Sequence, residues 1–267
     1  MSSCENLSPD GRFNALFVGA SGTGKTPAAC SFQTPNEKTF VWDWDFDGRI
    51  RGLLGCPWVD RSRISYDYFP PMKSGVQTFS SINDKCEMLQ NNILQNKNLY
   101  ETIVLDSLTG MCNCLICDAI PLAHTGGAAG KSKGRKLGAI NMPGMEEYGY
   151  EANGTDQIIS FLRSIPIKNF IATAHIVDKY GKIDPDDPYS ATEVIGTTIC
   201  LRPKISAKIG IYFDNIFIFS KEWKANKAKY FVEFRGELAR TVYSGLPDRA
   251  EITNMNFYEY MQGQLKK

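Results

Sequence analysis

The stretch Ala15-Leu16-Phe17-Val18-Gly19-Ala20-Ser21-Gly22-Thr23-Gly24-Lys25-Thr26 decides the fold. Its last eight residues fit the phosphate-loop pattern G-x-x-x-x-G-K-[ST]. The four residues before it read as a short buried strand, and Ala28-Ala29-Cys30-Ser31-Phe32 continues as a helix. Such a loop wraps phosphates with its own N–H groups, and side chains at the glycine positions would obstruct that wrapping. Gly19, Ala20, Ser21, Gly22, Thr23, Gly24, Lys25 and Thr26 are therefore the candidate nucleotide-binding residues. Lys25 offers a point charge to the outer phosphates, and Thr26 a hydroxyl to Mg²⁺. The ligand implied is a nucleoside triphosphate, ATP or GTP.

Pro27 is the departure from this pattern. A proline fits the first turn of a helix, but it contributes no N–H. In phosphate-loop proteins the N–H at this position commonly faces the α-phosphate, so the resemblance implies that one contact is absent here, and looser nucleotide binding is expected.

Working outward, Thr39-Phe40-Val41-Trp42-Asp43-Trp44-Asp45 reads as a strand ending in acidic residues, with a short helix near Ile50 to Leu54. Ile64 to Phe69 alternates like an edge strand and is stopped by Pro70-Pro71. Residues 78 to 96 carry apolar residues at helical spacing. Thr102-Ile103-Val104-Leu105-Asp106-Ser107 is an apolar run ending in a carboxylate, as a Walker B strand must be, so Asp106 joins Thr26 as a candidate Mg²⁺ residue. Residues 122 to 144 interleave glycines with Lys131, Lys133, Arg135 and Lys136, a basic loop suited to a nucleic-acid backbone. A helix from Thr155 to Ser164 leads to the buried strand Asn169 to His175.

Residues 178 to 204 read as loop or hairpin. The runs Ile209 to Phe213, Asn215 to Phe219 and Lys229 to Phe234 suggest an antiparallel extension of the sheet. A helical tail, about 246 to 267, closes the chain after a core of about 13 to 245.

The bulk composition narrows the classes. At 267 residues and 43% hydrophobic, the chain can bury the core of one large α/β domain. A net charge of +1 provides no global attraction for nucleic acid, so any such binding must be local. The eight cysteines are scattered, which suits a reducing compartment. Cys112, Cys114 and Cys117 fall in a helical segment, where 100° per residue puts Cys112 about 160° from Cys114. Three thiolates do not converge from such positions, so core-filling cysteines are expected rather than a zinc site. The N-terminus lacks the charged and apolar segments of a secretion signal, and no run approaches the ~18 apolar residues of a membrane span. A soluble cytoplasmic protein is expected, in a host's cytoplasm if it is viral.

The order of phosphate loop, acidic strand end, Leu105-Asp106-Ser107 and Thr173-Ala174-His175 is similar to the RecA-like ATPase core. With Glu147-Tyr148-Gly149 and Arg202-Pro203-Lys204 through Lys208 to Phe213-Asp214, the chain resembles the core-only RecA-like ATPases that phages encode for recombination and single-strand annealing. The resemblance implies a mostly parallel central sheet flanked by helices, with antiparallel C-terminal strands. It also implies ATP and Mg²⁺ as cofactors, assembly into a ring or filament, and single-stranded DNA as partner, with a single-strand binding protein as a further candidate.

Residue by residue, the resemblance makes Asp45 the candidate for positioning water, one methylene shorter than the family's glutamate, with Asp43 and Asp47 as alternatives. His175 becomes the γ-phosphate sensor, and Lys204 and Lys208 cations supplied across a subunit boundary. Tyr148 or Tyr150 could stack on bases. Two other readings stay open. One is a phosphotransferase such as a nucleoside or nucleotide kinase, to which Arg49 and Arg51 would be relevant. The other is a nucleotide-gated scaffold that barely hydrolyses.

Replacing Lys131, Lys133, Arg135 and Lys136 together by Ala is expected to weaken single-stranded DNA binding. In wild type, the affinity should fall with salt on a log-log slope of about −3 if all four charges meet phosphates. Filter-binding titrations at several salt concentrations check both.

Overall fold

Strand β1 (Phe13–Gly19) alternates between two hydrophobic layers, and that alternation organises the molecule. Phe13, Ala15 and Phe17 face one layer, while Leu16 and Val18 face the other. A strand buried on both faces in this way belongs in the middle of a sheet covered by helices on each side. The computed structural model describes residues 12–33, 38–45, 51–68, 87–91, 94–95, 100–125, 135–137, 140–142, 145–183 and 190–265.

Eight strands form the central sheet in the order β12-β11-β10-β1-β7-β4-β2-β3. These are β2 (Thr39–Asp43), β3 (Ile64–Tyr68), β4 (Thr102–Asp106), β7 (Asn169–Ala174), β10 (Asn215–Lys224), β11 (Lys227–Glu233) and β12 (Arg249–Glu251), together with β1. All pairings from β10 to β3 are parallel, and β11 and β12 are added antiparallel. The fold class is thus the α/β arrangement expected, a mostly parallel sheet with antiparallel strands from the C-terminal part. β3 lies at the end of the sheet, as its alternation and the prolines after it suggested. Two small sheets stand apart: β5 (Arg135–Leu137) with β6 (Ile140–Met142), and the hairpin of β8 (Ile176–Lys182) with β9 (Thr192–Ile199).

One face of the sheet is covered by α2 (Leu108–Thr125) and α3 (Met145–Ser164), whose Leu108, Met111, Leu115, Ile158, Ile159 and Leu162 pack on Trp42, Leu105 and Phe170. The other face carries α1 (Lys25–Cys30) and α6 (Phe257–Leu265) over an aromatic layer. There Phe257 stands edge-on to Phe17, Phe217 and Phe219 at ring distances of 5.5, 6.1 and 5.6 Å. Cys112 and Cys114 fill the first layer as buried thiols. Burial pushes both up to about 12, so they stay protonated.

Four expectations are corrected. Ile209–Tyr212 is a short helix, α5, rather than a strand: Ile209 and Tyr212, three apart, are buried, while Ile211 between them is exposed. It follows a second short helix, α4 (Pro203–Ser206), and Arg240 caps it by donating to the Gly210 carbonyl. β10 belongs to the antiparallel extension on one edge only, where it pairs with β11; its other edge pairs parallel with β1. α3 begins ten residues earlier than Thr155, since buried Glu147, Glu151 and Ala152 continue the face that Thr155 starts. The segment 246–267 holds strand β12 as well as the closing helix. Of the amphipathic helix expected at 78 to 96, residues 87–91 and 94–95 are helical and Leu89 is buried; the rest lies outside the described residues.

Phe257→Ala should cost about 3–5 kcal/mol, as for other buried phenylalanines. Urea unfolding should show an earlier midpoint with an unchanged slope.

Candidate functional site

Gly19 ends β1 where β10 runs against it, and a Cβ there would lie 2.3 Å from the Phe219 carbonyl oxygen. Only glycine lets the two strands close at that point. The chain then turns through Gly22 and Gly24, whose φ angles of 73° and 91° belong to the left-handed region. Thr23 pins the loop by donating from its hydroxyl to the Ala20 carbonyl at 2.8 Å. The ammonium of buried Lys25 donates to the carbonyls of Gly19 and Ala20, both at 2.9 Å. Burial lowers its pKa, against the charges of Asp106 and Asp45 that raise it.

Across the sheet, β7 lies between the loop-bearing β1 and the strand that carries Asp106. The carboxylate is nonetheless reached from both. Thr26 donates from its hydroxyl to Asp106 Oδ2 at 2.8 Å, and Thr173 on β7 donates to Oδ1. Burial raises the Asp106 pKa; the two hydroxyls and Lys25 lower it, and neighbouring Asp45 raises it further. This pairing of a hydroxyl and a carboxylate suits a hard divalent cation such as Mg²⁺, which takes oxygen ligands and keeps several waters. Among the described residues, no group of three His, Cys, Asp or Glu could hold a metal by itself. Thr26 and Asp106 would therefore be the protein's share of the shell, with phosphate oxygens and water completing it.

The acidic end of β2 sits beside this pair. Asp43, buried, lies opposite Asp106 in the sheet register and accepts the backbone N–H of Asp45 at 3.0 Å. Asp45 accepts from the Ser107 hydroxyl at 2.7 Å, and its other oxygen faces His175 Nε2 at 3.4 Å. Burial pushes the Asp45 carboxyl up, but the hydrogen bonds from His175 and Ser107 and the nearby charges outweigh it. Its pKa is held below the ordinary carboxylate value. His175 is fixed at its backbone as well: its N–H donates to the Thr109 hydroxyl at 3.1 Å, and its carbonyl accepts from Cys200 N at 2.7 Å.

Sequence reasoning missed two supports of this arrangement. Ser107 follows Asp106 directly, and its hydroxyl both holds Asp45 and accepts the Gly110 N–H at 3.0 Å. The peptide joining Asp106 to Ser107 is cis. At Gly110 itself, a Cβ would lie 2.5 Å from the Trp44 carbonyl and 2.9 Å from Asp45 Oδ1, so α2 can approach β2 only there. Nothing in the sequence distinguishes that glycine from the other 22.

The loop from Ser21 to Thr26 lines one cleft of about 610 Å³ with Asp43, and the cleft continues past Pro27 toward Trp58, Lys221, Tyr230 and Met255. Lys25, Thr26, Asp45, Asp106 and His175 come together in it. Lys204 and Lys208 do not line it, and Lys208 is paired with Asp156 on α3 at 2.5 Å. Tyr150 packs against the core, and one face of Tyr148 is covered by the Arg202 guanidinium at 4.3 Å. Both tyrosines are thus engaged in packing. Arg135 and Lys136 fall in β5, while Asp47, Lys131 and Lys133 lie outside the described residues.

No protein-family model matches the chain, and no curated protein matches it. Among solved structures it is similar to the flagellar accessory protein FlaH from Methanocaldococcus jannaschii, with 10% identity, 90% of this chain and 84% of that chain covered, and a TM-score of 0.46. It is also similar to the KaiC-like protein PH0186 from Pyrococcus horikoshii OT3, with 12% identity, 87% and 82% covered, and a TM-score of 0.45. Among the described residues, no helix is long and apolar enough to cross a membrane.

A carboxyl whose folded pKa is raised above its ordinary 3.8 costs stability that accrues as the pH rises from that ordinary value through the folded one. That cost is full at neutral pH and fades in acid. Asp106→Asn should therefore stabilise the nucleotide-free protein by about 1 kcal/mol at neutral pH, with less gain in acid. It should also abolish any strengthening of nucleotide binding by Mg²⁺. Thermal melts at two pH values and titrations with and without Mg²⁺ check the two halves.

Proposed function

We propose that the chain binds ATP with Mg²⁺ and hydrolyses it to ADP and phosphate. The observation that carries this reading is the 2.8 Å contact between the loop's Thr26 and Asp106, with Asp45 and His175 at the same cleft. A bound Mg²⁺ would supply charge neutralisation to the phosphates. Lys25 offers its ammonium to the outer phosphates, and the loop N–H groups line the cradle.

Asp45, kept ionised by His175 and Ser107, is poised to orient a water molecule and take its proton. The water oxygen bonds to the γ-phosphorus as the bond to the β–γ bridging oxygen breaks, and ADP leaves with the electron pair. His175 can donate a hydrogen bond to the γ-phosphate, which would draw it from Asp45 and free that carboxylate for the water. Because the base is an aspartate held by two partners, slow turnover is the corollary.

The partner we propose is single-stranded DNA, bound by an assembly of several copies in recombination or annealing. The resemblance to core-only RecA-like proteins and the basic run from Lys131 to Lys136 support this reading. Lys204 and Lys208, outside the cleft of their own chain, are the cations proposed to reach a neighbouring copy's nucleotide.

The test is the rate of phosphate release by wild type and Lys25→Ala, with and without single-stranded DNA. Turnover that rises with DNA and falls about 100-fold or more in the variant is expected. Label transferred from ATP to an acceptor other than water would make the protein a kinase. Negligible release under every condition, despite nucleotide binding, would make it a nucleotide-gated scaffold.

A further inference from the structure

Lys221 projects from β10 two residues beyond Phe219, whose carbonyl touches Gly19 at the start of the phosphate loop. It lines the nucleotide cleft, and it does so from a strand that the sequence pattern connects with no part of the loop. Its ammonium rests over the rings of Trp223 and Tyr230, at 4.8 and 5.7 Å from their centroids. Among the described residues it has no carboxylate partner. Tyr230 in turn approaches Gly24, where an added Cβ would meet the ring at 3.5 Å. The antiparallel pair β10–β11 thus holds a cation against the loop from outside.

The charge balance of the cleft gives that cation a task. Among the described residues, three aspartates line it, Asp43, Asp45 and Asp106, against the single ammonium of Lys25 from the loop. Pro27, which also lines it, has no N–H to give. A polyphosphate entering here meets one donor fewer than the loop pattern normally supplies and more negative charge than Lys25 cancels. Among the described residues, Lys221 is the other lysine lining the cleft, on a flexible stem able to swing from the rings to an anion.

We propose that Lys221 binds the nucleotide's phosphates from within the same chain and replaces the backbone donor that Pro27 removes. The inference rests on the nucleotide reading given above. A contact made near the helix side of the loop serves diphosphate and triphosphate alike, which separates it from a γ-phosphate cation. It is also a screened, solvent-accessible contact, so its share of the affinity falls as salt rises.

Calorimetric titration of ADP and of ATP into wild type, Lys221→Ala, Pro27→Ala and the double variant tests it. Lys221→Ala should raise Kd about five- to tenfold for both nucleotides, a range set by hydrogen bonds to charged groups at accessible sites. In the Pro27→Ala background, where the N–H is restored, the same change should cost about twofold or less. Lys221→Arg should keep most of the affinity. An unchanged Kd in Lys221→Ala overturns the proposal. A loss confined to ATP, or an equal loss in both backgrounds, overturns the replacement of the Pro27 donor. Wild type that binds neither nucleotide defeats the nucleotide reading itself, a different result from wild type and Lys221→Ala binding equally. Nucleotide-free melting temperatures within about 2 °C of wild type keep misfolding out of the comparison.

Discussion

A carboxylate buried at the carboxyl end of a central strand is the constraint on which the site depends. Asp106 is taken out of water by the sheet and its helices, and two hydroxyls reach it, from Thr26 on one side and Thr173 on the other. Desolvation of an ionised group is repaid only by donors or cations placed in advance. Here the donors are placed, while Asp45 nearby adds like charge. Such a cleft would gain from a divalent ion and a polyphosphate.

The backbone has to come unusually close in two places for this to hold. At Gly19 the loop's strand lies against β10, and at Gly110 helix α2 lies against the end of β2. Each glycine brings a carboxylate or a cradle into range: Gly19 begins the turn that aims the loop, and Gly110 leaves room for Asp45 beside Ser107. The rest of the sheet supplies rigidity. Its two layers, one of aliphatic chains with paired tryptophans and one of stacked and edge-on phenylalanines, are packed from both sides. Groups held by such a scaffold keep their mutual distances, which is what electrostatic preorganisation requires.

Much of this was legible along the chain because it is local. The loop pattern, the acidic end of β2, the apolar run into Asp106 and the strand into His175 are each contiguous, and period-two alternation marks their strands. Where the reading failed, the local signal was ambiguous. Ile209 to Tyr212 is too short for its periodicity to separate helix from strand, and Arg240, distant in sequence, supplies its cap. Strand β10 is the antiparallel partner of β11, as their closeness in sequence suggested, but its parallel pairing with β1 on the other edge has no local signal. The start of α3 was hidden by Gly149 and Gly154, poor helix formers whose cost is met by burial of the neighbouring face.

The sequence by itself determined the phosphate loop, its missing N–H at Pro27, and the alternation of apolar strands that makes a two-layered α/β sheet. Each follows from bond geometry or side-chain period within a few residues. Only the tertiary structure decided that β7 would separate β1 from β4, that Thr173 would reach Asp106, that Asp45 would face His175 across 130 residues, and that Lys221 would line the cleft. Those relations depend on strand order and on close backbone approach, and both are set by how the whole apolar surface is buried at once rather than by any segment's own preference.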